Sequence, residues 1–365
     1  VADDYDVFKS VVLEDVDDEK LGVDEYIKAR RIKSRGRVPP TATSYWAHLV
    51  KSSLQRILNA PSKSEKGSHF IKFLLLPQRY LPLGRSTARI LSAIASGAPT
   101  VMITGGPVTP TRNDAVQDKR APFEKEVTRL ANDRKIRSAL RIIMNDTPTR
   151  SPQEVLDALR SKILTKTPED IAYEATQEEG VRALKKLATP TLPPKLVWKA
   201  ITKQNRQAAN CIDGWTTELV TQACLADFSI VDDITSLLTL VLRDGISDEG
   251  MACLTAGRLV GIESGTKIRP ITVSNLFMRI LGTAIMLVAK PTTSKTQFAI
   301  GVKNGTVVVA HAVRGAVDKD AIIKVDLQNA FHEAKRHAIR DLLRNDDTLM
   351  RRYFEVMYGS PYSKL

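Results

Sequence analysis

The stretch IIKVDLQNAF, residues 322–331, places one acidic side chain at the end of an apolar, β-branched run. The run predicts a buried strand, and Asp326 lies where that strand would end. A carboxylate at such a position either caps the turn into the next element or binds a cation. Magnesium prefers hard oxygen ligands, so a site for it requires several carboxylates that converge on one point.

Two groups of cations could bind an anion. The segment IKARRIKSRGR, residues 27–37, contains six cations and no acid, which is typical of a solvated or disordered arm; the alternative is an arm that lies against phosphates. The second group is in RLVGIESGTKIRPITV, residues 258–273, where two β-rich arms around Ser264 and Gly265 predict a hairpin. Taken alone, Arg269 in this hairpin would be a surface residue of an edge strand. The arm cations are Lys28, Arg30, Arg31, Lys33, Arg35 and Arg37.

The bulk composition limits the classes of protein that these residues can belong to. The chain has 365 residues, 43% of them hydrophobic and 26% charged, which indicates a globular protein of two or three subdomains. A net charge of +13 favours a polyanionic partner, either nucleic acid or an anionic membrane surface. No apolar run is long enough to span a membrane, and three cysteines without metal-ligand spacing favour a reduced, intracellular compartment.

Helical patterns dominate the elements that must position these residues. They are predicted for residues 44–96, 195–204, 230–243, 275–290 and 333–345, and less clearly for residues 306–317, where consecutive valines favour a strand. A capping box at residues 151–154 predicts a helix with four buried side chains: Val155, Leu156, Leu159 and Ile163.

These patterns predict a helix-rich α/β (α+β) protein with a short antiparallel sheet. We divide it into a charged arm (1–43), a helical region with a Pro/Gly-rich loop (44–122), a helical extension (123–205), a fingers-like subdomain (206–320) and a partial palm (321–365).

The names of the last two divisions come from a resemblance carried by six segments in chain order. The segments are FLLLPQRYL (73–81), RKIRSALRII (134–143), IDGWTTELV (212–220), RLVGIESGTKIRPITVSNLFMRI (258–280), QFAIGVKNGTVVVAHAVR (297–314) and IIKVDLQNAF (322–331). In this order they resemble the reverse transcriptases of non-LTR retrotransposons, most closely the site-specific type found beside trypanosomatid spliced-leader genes. The resemblance covers about residues 73–365, with a gap over the Pro/Gly-rich loop.

The resemblance implies roles for single residues. Asp326 matches the first palm aspartate, a magnesium ligand, and Phe331 matches the aromatic that packs against the sugar and rejects a 2′-hydroxyl. Arg269 matches the fingers arginine that holds an incoming triphosphate, with Lys267 beside it. Two further candidates for RNA binding lie in a block that runs near template and primer in the family: Gln297 and Lys303.

Two departures from the family pattern weaken the expectation of catalysis. Glu263 occupies the region where the family has a lysine that reaches the triphosphate, and an acid there would repel a phosphate. The family's palm continues into a hairpin with two adjacent aspartates, whereas this sequence stops at Leu365 before that hairpin. We therefore expect no cofactor and no polymerase activity for this chain alone.

The resemblance and the charge together suggest an RNA-binding structural subunit of a large ribonucleoprotein, derived from a reverse transcriptase, with structured or duplex RNA and other particle proteins as partners. A mitochondrial ribosome is one such particle, and a chain that begins without methionine is compatible with a removed transit peptide. The alternative is the N-terminal half of a nuclear, Mg²⁺-dependent RNA-directed DNA polymerase that another chain completes. A helical protein–protein adaptor with a basic face explains the composition but not the ordered segments.

Overall fold

The computed structural model describes residues 22–29, 32–82, 152–160, 191–206, 208–264, 267–290, 304–316, 336–343 and 348–358, together with isolated positions between them. The ranges 22–29 and 32–82 form four helices and one turn of 3₁₀ helix at Pro40–Ala42. The helices are α1 (Val23–Ala29), α2 (Thr43–Asn59), α3 (Lys63–Leu74) and α4 (Leu76–Tyr80). Ser62 caps the start of α3, since its hydroxyl accepts a hydrogen bond from the backbone N–H of Glu65 at 3.1 Å.

The middle of the chain adds five helices among the described residues: α5 (Pro152–Arg160), α6 (Pro194–Lys203), α7 (Thr217–Ala226), α8 (Ile230–Leu242) and α9 (Asp248–Thr255). Side-chain caps start two of them, with Thr216 accepting from the N–H of Leu219 and Ser247 from that of Gly250. The backbone turns out of α8 through Asp244, whose φ is 55°, and the N–H of Gly245 donates to Leu240.

The only sheet among the described residues is an antiparallel hairpin of β1 (Arg258–Ser264) and β2 (Lys267–Val273). Pro270, which has no N–H to donate, is tolerated because both strands of such a hairpin are edges. The helices that follow are α10 (Leu276–Ala289), α11 (Gly305–Ala316), α12 (Arg336–Leu342) and α13 (Thr348–Tyr358).

Four aromatic rings from distant parts of the sequence form the centre of the core. Trp215 lies 5.6 Å from Trp46, 5.2 Å from Phe73 and 5.3 Å from Phe277, measured between ring centroids. Both indoles are satisfied, because the N–H of Trp215 donates to the carbonyl of Phe73 and that of Trp46 donates to the carbonyl of Leu219. The cluster therefore joins α2, α3 and α10 to the start of α7, and it brings three of the six quoted segments into contact.

Most of the predicted elements that the structure describes are confirmed. The helix-rich class with one short antiparallel sheet is observed, as are the hairpin and the helices at 230–243 and 275–290. Residues 306–316 of the valine-rich segment are helical within α11. One prediction of burial is wrong: Leu156 in α5 is 40% exposed, whereas Leu159 is buried. The strand predicted at 322–326 lies outside the described residues. Among the described residues, no helix combines the length and apolar character needed to cross a membrane.

Candidate nucleic-acid interface

The hairpin has two faces of different character. The register pairs Arg258 with Val273, Val260 with Ile271 and Ile262 with Arg269. Because side chains alternate along a strand, these positions share one face, which we call the open face. The other face carries the intervening pairs: Leu259 with Thr272, Gly261 with Pro270 and Glu263 with Ile268.

Helix α5 covers the half of that second face nearest the turn. A Cβ atom added at Gly261 would lie 2.6 Å from Cγ1 of Val155, so only glycine permits α5 to pack this closely. Ile268 is 2% exposed in the same region. We call this second face the covered face.

The open face combines apolar and cationic side chains at the protein surface. Ile262 and Ile271 are 46% and 44% exposed, and both arginines of the face, Arg258 and Arg269, are exposed as well. Arg269 lies directly opposite Ile262 in the ladder. An exposed apolar stripe flanked by guanidinium groups is suited to the sugars and bases of a nucleic acid, with the arginines at its phosphates.

The backbone register also separates the two ionisable positions near the turn. Lys267 pairs with Ser264, in the set of positions that contains Arg269, whereas Glu263 pairs with Ile268 in the covered set. The register does not test whether Glu263 stands where the family has its phosphate-binding lysine, so that expectation stays a prediction. The side chains of Lys267 and Glu263 lie outside the described residues.

A buried polar centre anchors the base of the hairpin to the helical core. Asn275 caps α10, its Oδ1 accepting from the N–H of Phe277 at 2.8 Å, and its Nδ2 donates to the Asp213 carboxylate. The other oxygen of Asp213 accepts from the N–H of Trp215 at 3.2 Å. Asp213 and Asn275 are fully buried, so the strand-to-helix junction after β2 is held by hydrogen bonds without access to water.

Burial dominates the electrostatics of this centre. It raises the pKa of Asp213 to about 7, although the Trp215 N–H and the charge of Arg279 oppose the shift. Burial also raises the pKa of the Cys211 thiol to about 11, with the neighbouring Asp213 contributing in the same direction. The Tyr26 hydroxyl of α1 is buried beside Asp213, and desolvation raises its pKa well above the usual value.

The described part of the arginine-rich arm is anchored to the core. The N–H of Arg35 donates to the carbonyl of Leu81 at 2.8 Å, and the hydroxyl of Thr216 donates to the carbonyl of Gly36 at 2.6 Å. Further along, the side-chain amide of Gln222 exchanges two hydrogen bonds with the backbone of Val38. The segment 34–38 therefore lies across α4 and α7, which differs from the solvated arm that its composition predicts.

This anchoring fixes where the arm cations lie. Lys33 and Arg37 are exposed, and Arg35 is half-buried. Lys28 in α1 is exposed and forms a local ion pair with Glu25 at 3.2 Å. Two arm residues lie outside the described residues: Arg30 and Arg31.

Most of the residues assigned by resemblance to a catalytic centre and a primer block lie in segments that the structure does not describe. Asp326, Phe331 and Lys303 lie outside the described residues, and Gln297 is an isolated, half-buried position. Among the described residues, no three His, Cys, Asp or Glu side chains converge as a cation site requires. The structure consequently provides no donor set against which magnesium can be tested.

The open face contains residues that sequence reasoning missed. Arg258, Ile262 and Ile271 were not candidates, although alternation in RLVGIESGTKIRPITV, combined with the turn at Ser264 and Gly265, places them in register with Arg269. The signal was present in the sequence; which face would stay open depended on where α5 packs.

No family model, curated protein or solved structure matches this chain. The resemblance to reverse transcriptases thus remains a hypothesis that rests on the order of its segments.

Proposed function

We propose that this protein is an RNA-binding structural subunit of a ribonucleoprotein, built on a reverse-transcriptase-like fingers module, and that the open face of the hairpin contacts the RNA. The observation that carries the proposal is that exposed Ile262 and Ile271 share one face with exposed Arg258 and Arg269, while α5 covers the half of the other face nearest the turn.

The charges support a polyanion over a neutral partner for this face. The chain carries a net charge of +13, and Lys33 and Arg37 of the anchored arm add further exposed cations. RNA fits because duplex and structured RNA are recognised mainly through shape, sugar and phosphate, which requires no metal ion.

The test is binding of a fluorescein-labelled RNA stem-loop, measured by anisotropy over a range of salt concentrations. We expect Arg258→Ala with Arg269→Ala to weaken binding and to reduce the log–log salt slope by about 1.5, corresponding to two lost phosphate contacts. Addition of EDTA should leave binding unchanged, since the proposed contact uses no metal ion.

A control with the same loss of charge separates the open face from the general field of the protein. Arg56→Ala with Arg243→Ala removes two arginines from α2 and from the end of α8. A control that weakens binding as much as the hairpin variant would overturn the open face as the contact. Absence of binding by the unmodified protein would overturn RNA binding altogether.

A further inference from the structure

A second basic surface lies on α6, away from the hairpin. The helix PKLVWKAITK contains no acid, and Lys195, Lys199 and Lys203 are all exposed on it. At spacings of four residues they follow one side of the helix, opposite the buried Val197 and Ile201. We call these three lysines the lysine ridge.

The lysine ridge is not neutralised by the described residues around it. No ion pair joins any of its lysines to a described residue. Two acids of the adjoining α7 region are each within ion-pair distance of a cation outside the ridge: Asp227 lies 2.8 Å from Lys51, and Glu218 lies 3.9 Å from Arg206. Among the described residues, the acids nearest the ridge are thus engaged by other cations.

An exposed aromatic ring borders the ridge. Trp198 is a neighbour of Lys195 on the helix surface. The ring of Phe228 packs edge-on against the ring of Trp198, with ring centroids 5.4 Å apart. Phe228 itself is 58% exposed, so one large part of its ring faces solvent. A partly exposed aromatic ring next to a row of cations is the arrangement that stacks bases while the cations bind the phosphates.

The spacing of the ridge also suits a nucleic-acid strand. Four residues of helix rise about 6 Å, so successive lysines advance in steps comparable with the distance between neighbouring phosphates of one strand. Because bases in a duplex are already stacked and paired, a free ring such as that of Phe228 favours a single strand.

We propose that the lysine ridge and Phe228 form a binding site for single-stranded RNA, with phosphates along Lys195, Lys199 and Lys203 and a base on the ring of Phe228. This inference rests on the proposed RNA-binding function and adds a second substrate form to it. Both surfaces attach to α10: β2 leads directly into that helix, and α6 packs along it, with Gln204 donating to the Thr283 hydroxyl at 3.0 Å.

The experiment measures anisotropy of a labelled oligouridylate of about 15 nucleotides, which has no stable secondary structure. We expect Lys195→Gln, Lys199→Gln and Lys203→Gln together to reduce the log–log salt slope by about 2, the value for three phosphates of a single strand. The matched control removes the same charge from three lysines of one other helix, α3: Lys63→Gln, Lys66→Gln and Lys72→Gln. The control should reduce the salt slope by less than half of the reduction expected for the ridge variant.

A second pair of variants tests the stacking contact. Phe228→Ala should weaken oligouridylate binding at least about fivefold, the lower limit for loss of one stacked base. Leu225→Ala removes a neighbouring apolar side chain that is 69% exposed and should leave binding unchanged. Circular dichroism melting of every variant establishes that the fold is kept.

The outcomes separate this inference from the proposed function. Two results would overturn the inference: equal salt slopes for the ridge variant and its α3 control, or equal oligouridylate binding by the Phe228 and Leu225 variants. If the Arg258 and Arg269 variant nevertheless loses stem-loop binding, the proposed function stands. Conversely, a ridge variant that loses oligouridylate beside a hairpin variant that keeps stem-loop binding would support the ridge and overturn the open face. No RNA binding by the unmodified protein would overturn both.

Discussion

The aromatic cluster and the open face of the hairpin are built from large apolar side chains that have opposite surroundings. Trp215 is fully buried among rings from three other segments of the chain, whereas Ile262 and Ile271 each leave nearly half of their surface in solvent. The two regions are close in sequence: Ile268, which lies on the covered face of the hairpin, comes 53 positions after Trp215.

This difference indicates what each region does for the folded chain. Burial of apolar surface stabilises by about 25 cal/mol per Å², so the cluster contributes strongly to folding and the open face contributes little. An exposed apolar stripe on a folded protein is often an interaction site. The four predictions below test the contrast between the two regions, and they run from the largest expected effect to the smallest.

Truncation in the aromatic cluster should have the largest effect on stability. Trp215→Ala removes three ring contacts and the hydrogen bond to the Phe73 carbonyl, and we expect it to lower the free energy of unfolding by about 3–5 kcal/mol. Urea denaturation followed by circular dichroism measures this loss. Ile271→Ala on the open face is the matched comparison and should cost less than about 1 kcal/mol; a similar loss in both variants would contradict the contrast.

The buried carboxyl group of Asp213 should make stability depend on pH. Burial raises its pKa from 3.8 to about 7, so folding favours the protonated form. The associated stability is fully present below about pH 4 and is lost as pH rises through 7, with an upper limit of ~4 kcal/mol for a shift of about three units.

The variant Asp213→Asn removes this titration. Urea denaturation at several pH values should show that the stability difference between the unmodified protein and the variant changes steadily from pH 4 to pH 7 and is constant above about pH 8. The variant loses one acceptor for the Trp215 N–H or the Asn275 amide, which lowers its stability by a constant amount. A difference that does not vary with pH would show that Asp213 is ionised throughout the range.

A smaller effect is expected where the arm meets the core. Gly214 has a φ of 73°, and a Cβ atom there would collide with the Ser34 hydroxyl and approach the side-chain amide of Gln78. Gly214→Ala should therefore cost about 1–3 kcal/mol and loosen the anchored arm segment. Limited digestion with trypsin should cut after Arg35 and Arg37 faster in this variant.

The matched comparison for that variant is Gly315→Ala in α11. A Cβ atom there meets no described residue within 4 Å, and alanine favours helix, so the substitution should be neutral or stabilise by up to about 1 kcal/mol. Equal trypsin cleavage in both variants would show that the arm is not fixed by the packing at Gly214.

The smallest effect on stability is expected from polar substitutions on the open face. Ile262→Thr with Ile271→Thr keeps a β-branched shape, so the free energy of unfolding should change by about 0.5 kcal/mol or less for each. Binding of the RNA stem-loop should nevertheless weaken, because the apolar contact to the RNA is lost. Unchanged RNA affinity, measured by anisotropy, would mean that the apolar stripe faces solvent in the complex as well.

Local sequence signals predicted most of the described elements. The cap at Asn275, the breaks at Asp244 and Gly245, and the alternation around Ser264 and Gly265 each mark an element boundary through interactions between residues that are close in the chain. Leu156 shows where this approach fails: its helical spacing indicates burial, but α5 reaches the hairpin through Val155 and Leu159 and leaves Leu156 at the surface.

The sequence by itself determined the helix-rich class, the hairpin and its register, the excess of positive charge and the residues able to bind an anion. Only the tertiary structure decided which hairpin face is covered and that residues 34–38 lie against α4 and α7. It also decided that Asp213 and Asn275, which are 62 positions apart in the sequence, meet in a buried centre. The physical reason is range: capping and alternation act within a few residues, whereas coverage and desolvation depend on segments that become neighbours only when the chain has folded.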